Sequence, residues 1–173
     1  MAEETKYAVV RTDNMTGTDV AADLISLRYT DENSKPADIE NGNVVKLDGL
    51  MENSREVYKA VTPSKATQLS DIALVASVEI MANERKRNLD EFINKADARP
   101  ARGYRLHDGD VFGVTKEALS GEIAPAKGNL VELDASTKLK VVKTATSGST
   151  QVGVIENVEI AGRYTYYVIR IKK

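Results

Sequence analysis

The sequence predicts a mostly β protein made of two related small β-barrel or sandwich units, with a short helical insertion in the first. Three observations predict it. A block of strand-like residues recurs later in the chain in the same order. Turn residues punctuate both copies at similar places. One charged segment has no counterpart in the second copy. The boundaries that follow are an N-terminal arm, 1–19, a first unit, 20–106, carrying the insert at 81–102, and a second unit, 107–173.

The repeat begins at Asn41-Gly42-Asn43-Val44-Val45-Lys46-Leu47-Asp48, echoed 86 residues later by Lys127-Gly128-Asn129-Leu130-Val131-Glu132-Leu133-Asp134. Next, Val57-Tyr58-Lys59-Ala60-Val61-Thr62 matches Val141-Val142-Lys143-Thr144-Ala145-Thr146, 84 residues on. Last, Leu74-Val75-Ala76-Ser77-Val78-Glu79-Ile80 matches Val154-Ile155-Glu156-Asn157-Val158-Glu159-Ile160, 80 residues on. The shared grammar of β-hairpins is the other source of such matches, but three blocks in one order favour duplication. Gly42 and Gly128 are then expected at equivalent positions.

Each block reads as a strand. Alternation places Val45 and Leu47 on one face and Val44 and Lys46 on the other. Asp48-Gly49 and Asp134-Ala135-Ser136 supply turn chemistry, because Asp bonds its own backbone and Gly tolerates positive φ. Val57–Val61 and Leu139–Val142 return as hairpin arms. Loops rich in Ser, Thr, Gly and Gln lead to the third strands, 72–80 and 152–160. The strand before each hairpin is Leu24–Tyr29 in one unit and begins at Val111 in the other. Gly103–Leu106 and Tyr164–Ile171 close the two units, the second rich in β-branched and aromatic residues.

The insert departs from this pattern. Ile160 reaches the last strand through Ala161-Gly162, whereas Ile80 and Gly103 are separated by residues 81–102. Within it Leu89, Phe92 and Ile93 fall at i, i+3 and i+4, one apolar face of a helix, and Pro100 stops the run. Such a helix either plugs one end of a barrel or engages a partner.

Composition narrows the chemistry. The 173 residues carry a net charge of −2, and no apolar run approaches a bilayer span. Residues 1–6 are acidic and polar and do not open a secretory signal. There is no Cys, which removes disulfides, thiolate metal sites and cysteine nucleophiles. Charge alternates in blocks: −6 over 1–80, +3 over 81–105, −4 over 106–136 and +5 over 137–173. That alternation is either ordinary solvated surface or the mark of docking on a charged neighbour or on copies of the chain itself.

No catalytic, metal or cofactor-binding residue stands out. The single histidine, His107, begins His-Asp-Gly-Asp, a tight-turn sequence more than a base with its orienter. Asp108-Gly109-Asp110 lacks the remaining ligands of an EF-hand. No Gly-x-Ser-x-Gly elbow and no phosphate loop is present. The chain therefore reads as a binding or structural protein, not an enzyme. Nucleic acid is the lesser alternative, with Arg85-Lys86-Arg87 and the C-terminal cations tracking phosphates and Tyr164, Tyr166 and Tyr167 stacking bases. The total charge argues against it, and period two puts Tyr164 and Tyr166 together on a face that can point to a core.

The run from Gly121 to Asp134 (Gly-Glu-Ile-Ala-Pro-Ala-Lys-Gly-Asn-Leu-Val-Glu-Leu-Asp), then Lys138-Leu139-Lys140-Val141-Val142 and Val152-Gly153-Val154-Ile155, resembles the small β-barrel head decoration (capsid cement) proteins of tailed bacteriophages. Asp38–Gly42, Asp90–Asn94 and Arg102–Leu106 are similar to virion proteins of phages of Gram-positive hosts. The resemblance implies a non-enzymatic protein made in the host cytoplasm and carried on the head surface of the virion. Its partners would be the major capsid protein and copies of itself, with no cofactor and no membrane. A tail or neck protein is the other virion role it allows. Arg85, Lys86 and Arg87 are expected to meet an acidic partner surface. Tyr7 and Val9 are expected to pair with a capsid strand edge by β-augmentation, from a segment, 2–10, that orders on docking.

Overall fold

The computed structural model describes residues 6–83 and 85–172. It is mostly β. The first five strands of the repeat region are β2 (Leu24–Tyr29), β3 (Val44–Leu50), β4 (Val57–Val61), β5 (Ile72–Val75) and β6 (Ala101–Arg105). They close into a barrel in the order β2-β4-β3-β5-β6. The remaining strands are β1 (Val10–Asn14), β7 (Val111–Val114), β8 (Leu119–Ser120), β9 (Leu130–Glu132), β10 (Leu139–Val142), β11 (Gln151–Ala161) and β12 (Tyr164–Ile171). They form one sheet in the order β1-β7-β12-β11-β9-β10-β8. One short helix, α1 (Thr16–Asp19), follows β1.

The second sheet repeats the pairing of the barrel strand for strand. The β3–β4, β3–β5 and β5–β6 pairs are antiparallel, as are β9–β10, β9–β11 and β11–β12. In the barrel, β2 pairs antiparallel with β6 and parallel with β4. In the second unit that strand is split: β7 pairs antiparallel with β12, and β8 pairs parallel with β10. Registers agree closely. Ile25 faces Gly103 where Phe112 faces Ile169, an offset of 87, while Tyr29 faces Ala60 where Leu119 faces Leu139, an offset of 90. The three extra residues are the 3-10 turn Lys116–Ala118 that breaks the strand. Gly42 and Gly128 occupy equivalent places. Both have positive φ, 84° and 88°, and their amides donate to the carbonyls of Val75 and Ile155 respectively. Val75 and Ile155 in turn donate to Asn43 and Asn129, both at 2.8 Å.

The middle block of the repeat is corrected by register. Lys46 pairs with Val61, and its equivalent Glu132 pairs with Lys140, so the true offset is 79 and not 84. Alternating Val and Lys carry little register information, and the hairpin turn decides the alignment. The first turn is long: Met51 N–H donates to Val57 O, and Ser54 Oγ accepts from the amides of Glu56 and Val57. The second is a tight turn with Ala135 at φ 49°.

Side-chain size explains the barrel. Its interior holds Leu27, Val45, Ala60, Ala73, Val75 and Ala101, mostly small, because few strands leave a narrow bore. The larger residues of β5, Ile72 and Leu74, point outward but are equally buried, with Val44, Tyr104 and Leu106 beside them. They pack against Phe112, Val131, Leu139, Ile155 and Ile169 of the second sheet in one continuous core. Backbone bonds cross the same junction, from Val44 N–H to Thr137 O and from Thr150 N–H to Lys65 O.

The arm at 1–19 is not free over its described part. β1 adds to the edge of β7, Val10 opposite Val114 and Thr12 opposite Phe112. The splitting of the β2-equivalent strand leaves β7 with an open edge, and the chain's own β1 fills it. Residues 2–5 of the proposed ordering segment lie outside the described residues.

Candidate functional site

The insert leaves β5 at one end of the barrel and returns through β6. Its helical part is a single 3-10 turn, Leu89–Glu91, instead of the run that periodicity implies. Glu91 Oε2 accepts the amides of Arg87 and Asn88, and the backbone becomes extended again at Phe92. Phe92 is buried, Leu89 is exposed, and Ile93 is half-buried, so no single apolar face forms. The competing force is a buried amide network. Asn94 forms a backbone bridge with Ile39, and its Nδ2 donates to Ile39 O and Asn41 Oδ1. Asn41, 1% exposed, binds the Ser77 backbone on both sides through Oδ1 and Nδ2. These bonds hold the chain extended where an α-helix would have to run.

A second anchor is Asp90, only 3% exposed. The Tyr164 hydroxyl donates to its Oδ1 at 2.7 Å, and the Lys6 amide donates to Oδ2 at 3.2 Å. Tyr7 N–H binds the Asp90 carbonyl. Burial alone would raise the Asp90 carboxyl. The hydroxyl and amide donors, with Arg163 nearby, hold it below the usual carboxylate range instead. Tyr164 is pushed above the usual phenol range by burial and by its bond to that carboxylate. The anchor ties the insert to the β11–β12 hairpin and to the N-terminal segment. Replacement of Asp90 by Asn should cost about 2–3 kcal/mol, since a charged partner of buried donors is lost. A carboxylate with a depressed folded pKa stabilises above its unfolded value, about 3.9, and that contribution disappears as pH falls through the folded value. Urea unfolding at pH 7 and pH 3 should therefore show a gap between wild type and D90N that narrows in acid.

Arg85, Lys86 and Arg87 are exposed on the loop before this turn. Beside them a cleft of about 370 Å³ opens between the 80–83 stretch and the 91–99 stretch. Its floor is apolar, with Ile80, Met81, Phe92 and Ile93, and Lys86, Lys95 and Arg99 line it as well. Lys95 is bonded to Asp38 at 2.6 Å, and Arg99 donates to the Val78 carbonyl. The cleft was not legible in the sequence, where the same residues read as a helix face.

Tyr7 and Val9 are engaged within the chain. Val9 is 1% exposed; its amide donates to Thr115 Oγ1, and its carbonyl accepts from Thr115 N–H. Tyr7 is half-buried against the insert. The strand pattern of Tyr7–Val10 was readable, but which edge it pairs with was not. Tyr164 and Tyr166 are buried with Val9, and Arg11 sits 4.9 Å over the Tyr166 ring, so these rings pack inward and do not face out to stack on bases.

Two apolar pairs that align in sequence are exposed. Val78 and Ile80 are 51% and 64% exposed, and Val158 and Ile160 are 39% and 78%. The structure sets them differently: Val78 and Ile80 lie past the end of β5, whereas Val158 and Ile160 lie on β11 beyond its bulge between Ile155 and Asn157.

His107 opens a turn in which Asp110 N–H donates to its carbonyl, and its Nε2 lies 3.1 Å from Asp23 Oδ2. Asp110 accepts from the His107 amide and from the amide and hydroxyl of Thr16, fixing α1 to the turn. Among the described residues no group of three or more His, Cys, Asp or Glu is placed to hold a metal ion. No helix among them is long and apolar enough to cross a membrane.

The fold and these surfaces describe a two-unit β protein organised around exposed loops and apolar edges. Comparison of the chain with protein-family models, curated proteins and solved structures finds no match.

Proposed function

We propose that the chain is a virion structural protein, a decoration protein that binds the assembled head shell of a tailed phage and clamps neighbouring capsid subunits. The observation that carries this reading is two exposed apolar pairs, Val78/Ile80 and Val158/Ile160, one on each of two units that share one core. A body with an exposed apolar pair on each unit fits a partner that itself repeats. Little ordering entropy is lost on docking, and weak contacts add through multivalency. The exposed Arg85-Lys86-Arg87 run supplies the charged part of the contact. The resemblance of the 121–155 strand motifs to those of capsid cement proteins supports this role, with the major capsid protein as the partner.

Changing Arg85, Lys86 and Arg87 together to Glu should leave the protein folded, because exposed charge changes move stability by about 0.5 kcal/mol. Occupancy on purified heads, measured by gel densitometry, should fall roughly tenfold and recover partly at moderate salt as repulsion is screened. Full occupancy with a folded triple-Glu protein would remove the basic run from the interface. A signal for oligonucleotide binding that falls steeply with salt and is lost in the same variant would favour nucleic acid instead.

A further inference from the structure

The two ends of the first barrel are unlike. At one end, where β5 gives way to the insert, lies the apolar cleft with Lys86, Lys95 and Arg99. β3 starts at that end, since Gly42 N–H binds Val75 O at the last residue of β5. It runs the length of the barrel to Leu50 and turns there into β4. The β3–β4 turn is thus the opposite end. It carries Leu50, half exposed at 50%, with Asp48, Glu52 and Glu56 around it; Arg55 is on the same turn, and Lys59 is paired to Asp48 at 3.5 Å. Ser54 Oγ holds the turn by accepting two amides, so its shape is set before any contact.

We infer that the chain associates with itself head to tail, the β3–β4 turn of one copy seating Leu50 in the insert cleft of the next. An exposed leucine beside Glu52 and Glu56 meets an apolar floor beside the exposed Lys86; of the other charged residues lining the cleft, Lys95 is paired to Asp38, Arg99 is bonded to the Val78 carbonyl and Glu91 accepts the Arg87 and Asn88 amides. The contact joins unlike surfaces, so each copy keeps a free turn and a free cleft, and copies add in a row. A single turn in a cleft makes a small interface, and the association in solution is accordingly weak and concentration-dependent. The contact does not rest on the head being the partner, and it is tested without heads. The acidic balance of residues 1–80 and the basic balance of 81–105 are the same complementarity written along the chain.

The chain has no cysteine, so single-cysteine variants report one contact each. Leu50→Cys and Ala98→Cys, both at exposed positions, the second lining the cleft, are mixed and oxidised. The expected product is the mixed disulfide dimer, with at least tenfold less dimer from either variant alone, and a ladder from the double variant. Sedimentation of the otherwise native chain gives a second readout: Leu50→Asp and Ala98→Glu should each weaken association at least tenfold, and salt should weaken the native contact. Dimers of Leu50→Cys alone would show turns meeting turns and overturn the inference. Cross-linking no faster than to an exposed control, Ser70→Cys, or a monomer at all concentrations, would overturn it too. Circular dichroism of each variant establishes that a lost contact is not a lost fold.

Discussion

Replacing Gly153 by Val is expected to unfold the second unit or to cost about 3–5 kcal/mol, the upper range for a buried clash. Gly153 lies on β11 opposite Ile171, in the register position that Ala73 holds in the barrel. A Cβ added there runs into the Arg170 carbonyl and within 3.2 Å of Ile171 Cα. Both are backbone in a paired strand, so no side-chain rotation relieves the contact. On its other edge, against β9, β11 carries a bulge between Gln151 and Gly153. Gly148 is the control, with nothing within 4 Å of an added Cβ. Urea unfolding followed by tyrosine fluorescence should separate the two variants, Gly148→Ala losing only the cost of its positive φ. Equal midpoints would show that β12 moves aside and that the close approach is not structural.

Leu74→Ala is expected to destabilise both units together by about 3–5 kcal/mol, the range for a buried leucine that leaves a cavity. Leu74 is fully buried on the outer wall of the barrel, in the core shared with Phe112, Ile155 and Ile169. Were the units independent, the loss would appear in the first alone and the second would unfold at its own midpoint. With a shared core, one transition shifts as a whole. Hydrogen exchange read by mass spectrometry distinguishes the outcomes: amides of β5 and of β9–β12 should lose protection in parallel. Leu50→Ala, at an exposed position, should change little. Loss of protection confined to residues 20–106 would separate the units.

The strands were largely legible in the sequence because period two and turn residues are local signals. Val45 and Leu47 do face the barrel, and Val44 does face away. What alternation does not carry is register. The middle block of the repeat slipped by five residues because a Val-Lys pattern matches itself at many offsets, and only the hairpin turns settle which residues lie opposite. The candidate site was less legible still. Leu89, Phe92 and Ile93 have helix spacing, yet the helix stops after the 3-10 turn Leu89–Glu91, and Asn94 and Asp90 are tied to partners 50 to 80 residues away, Ile39, Asn41 and Tyr164. Non-local hydrogen bonds outweighed a weak local propensity.

The sequence by itself determined the β class, the positions of the turns, the equivalence of Gly42 with Gly128, and the place of the insert. These depend on side-chain alternation and on backbone angles that Gly and Asp allow, both properties of neighbouring residues. Tertiary structure alone decided that the outer wall of the barrel is buried, that β1 completes the second sheet, and that the insert opens a cleft at one end of the barrel. Each of those is a contact between segments far apart in the chain, where the free energy comes from apolar area removed from water and from buried polar groups finding partners, and no local pattern records which distant surface supplies them.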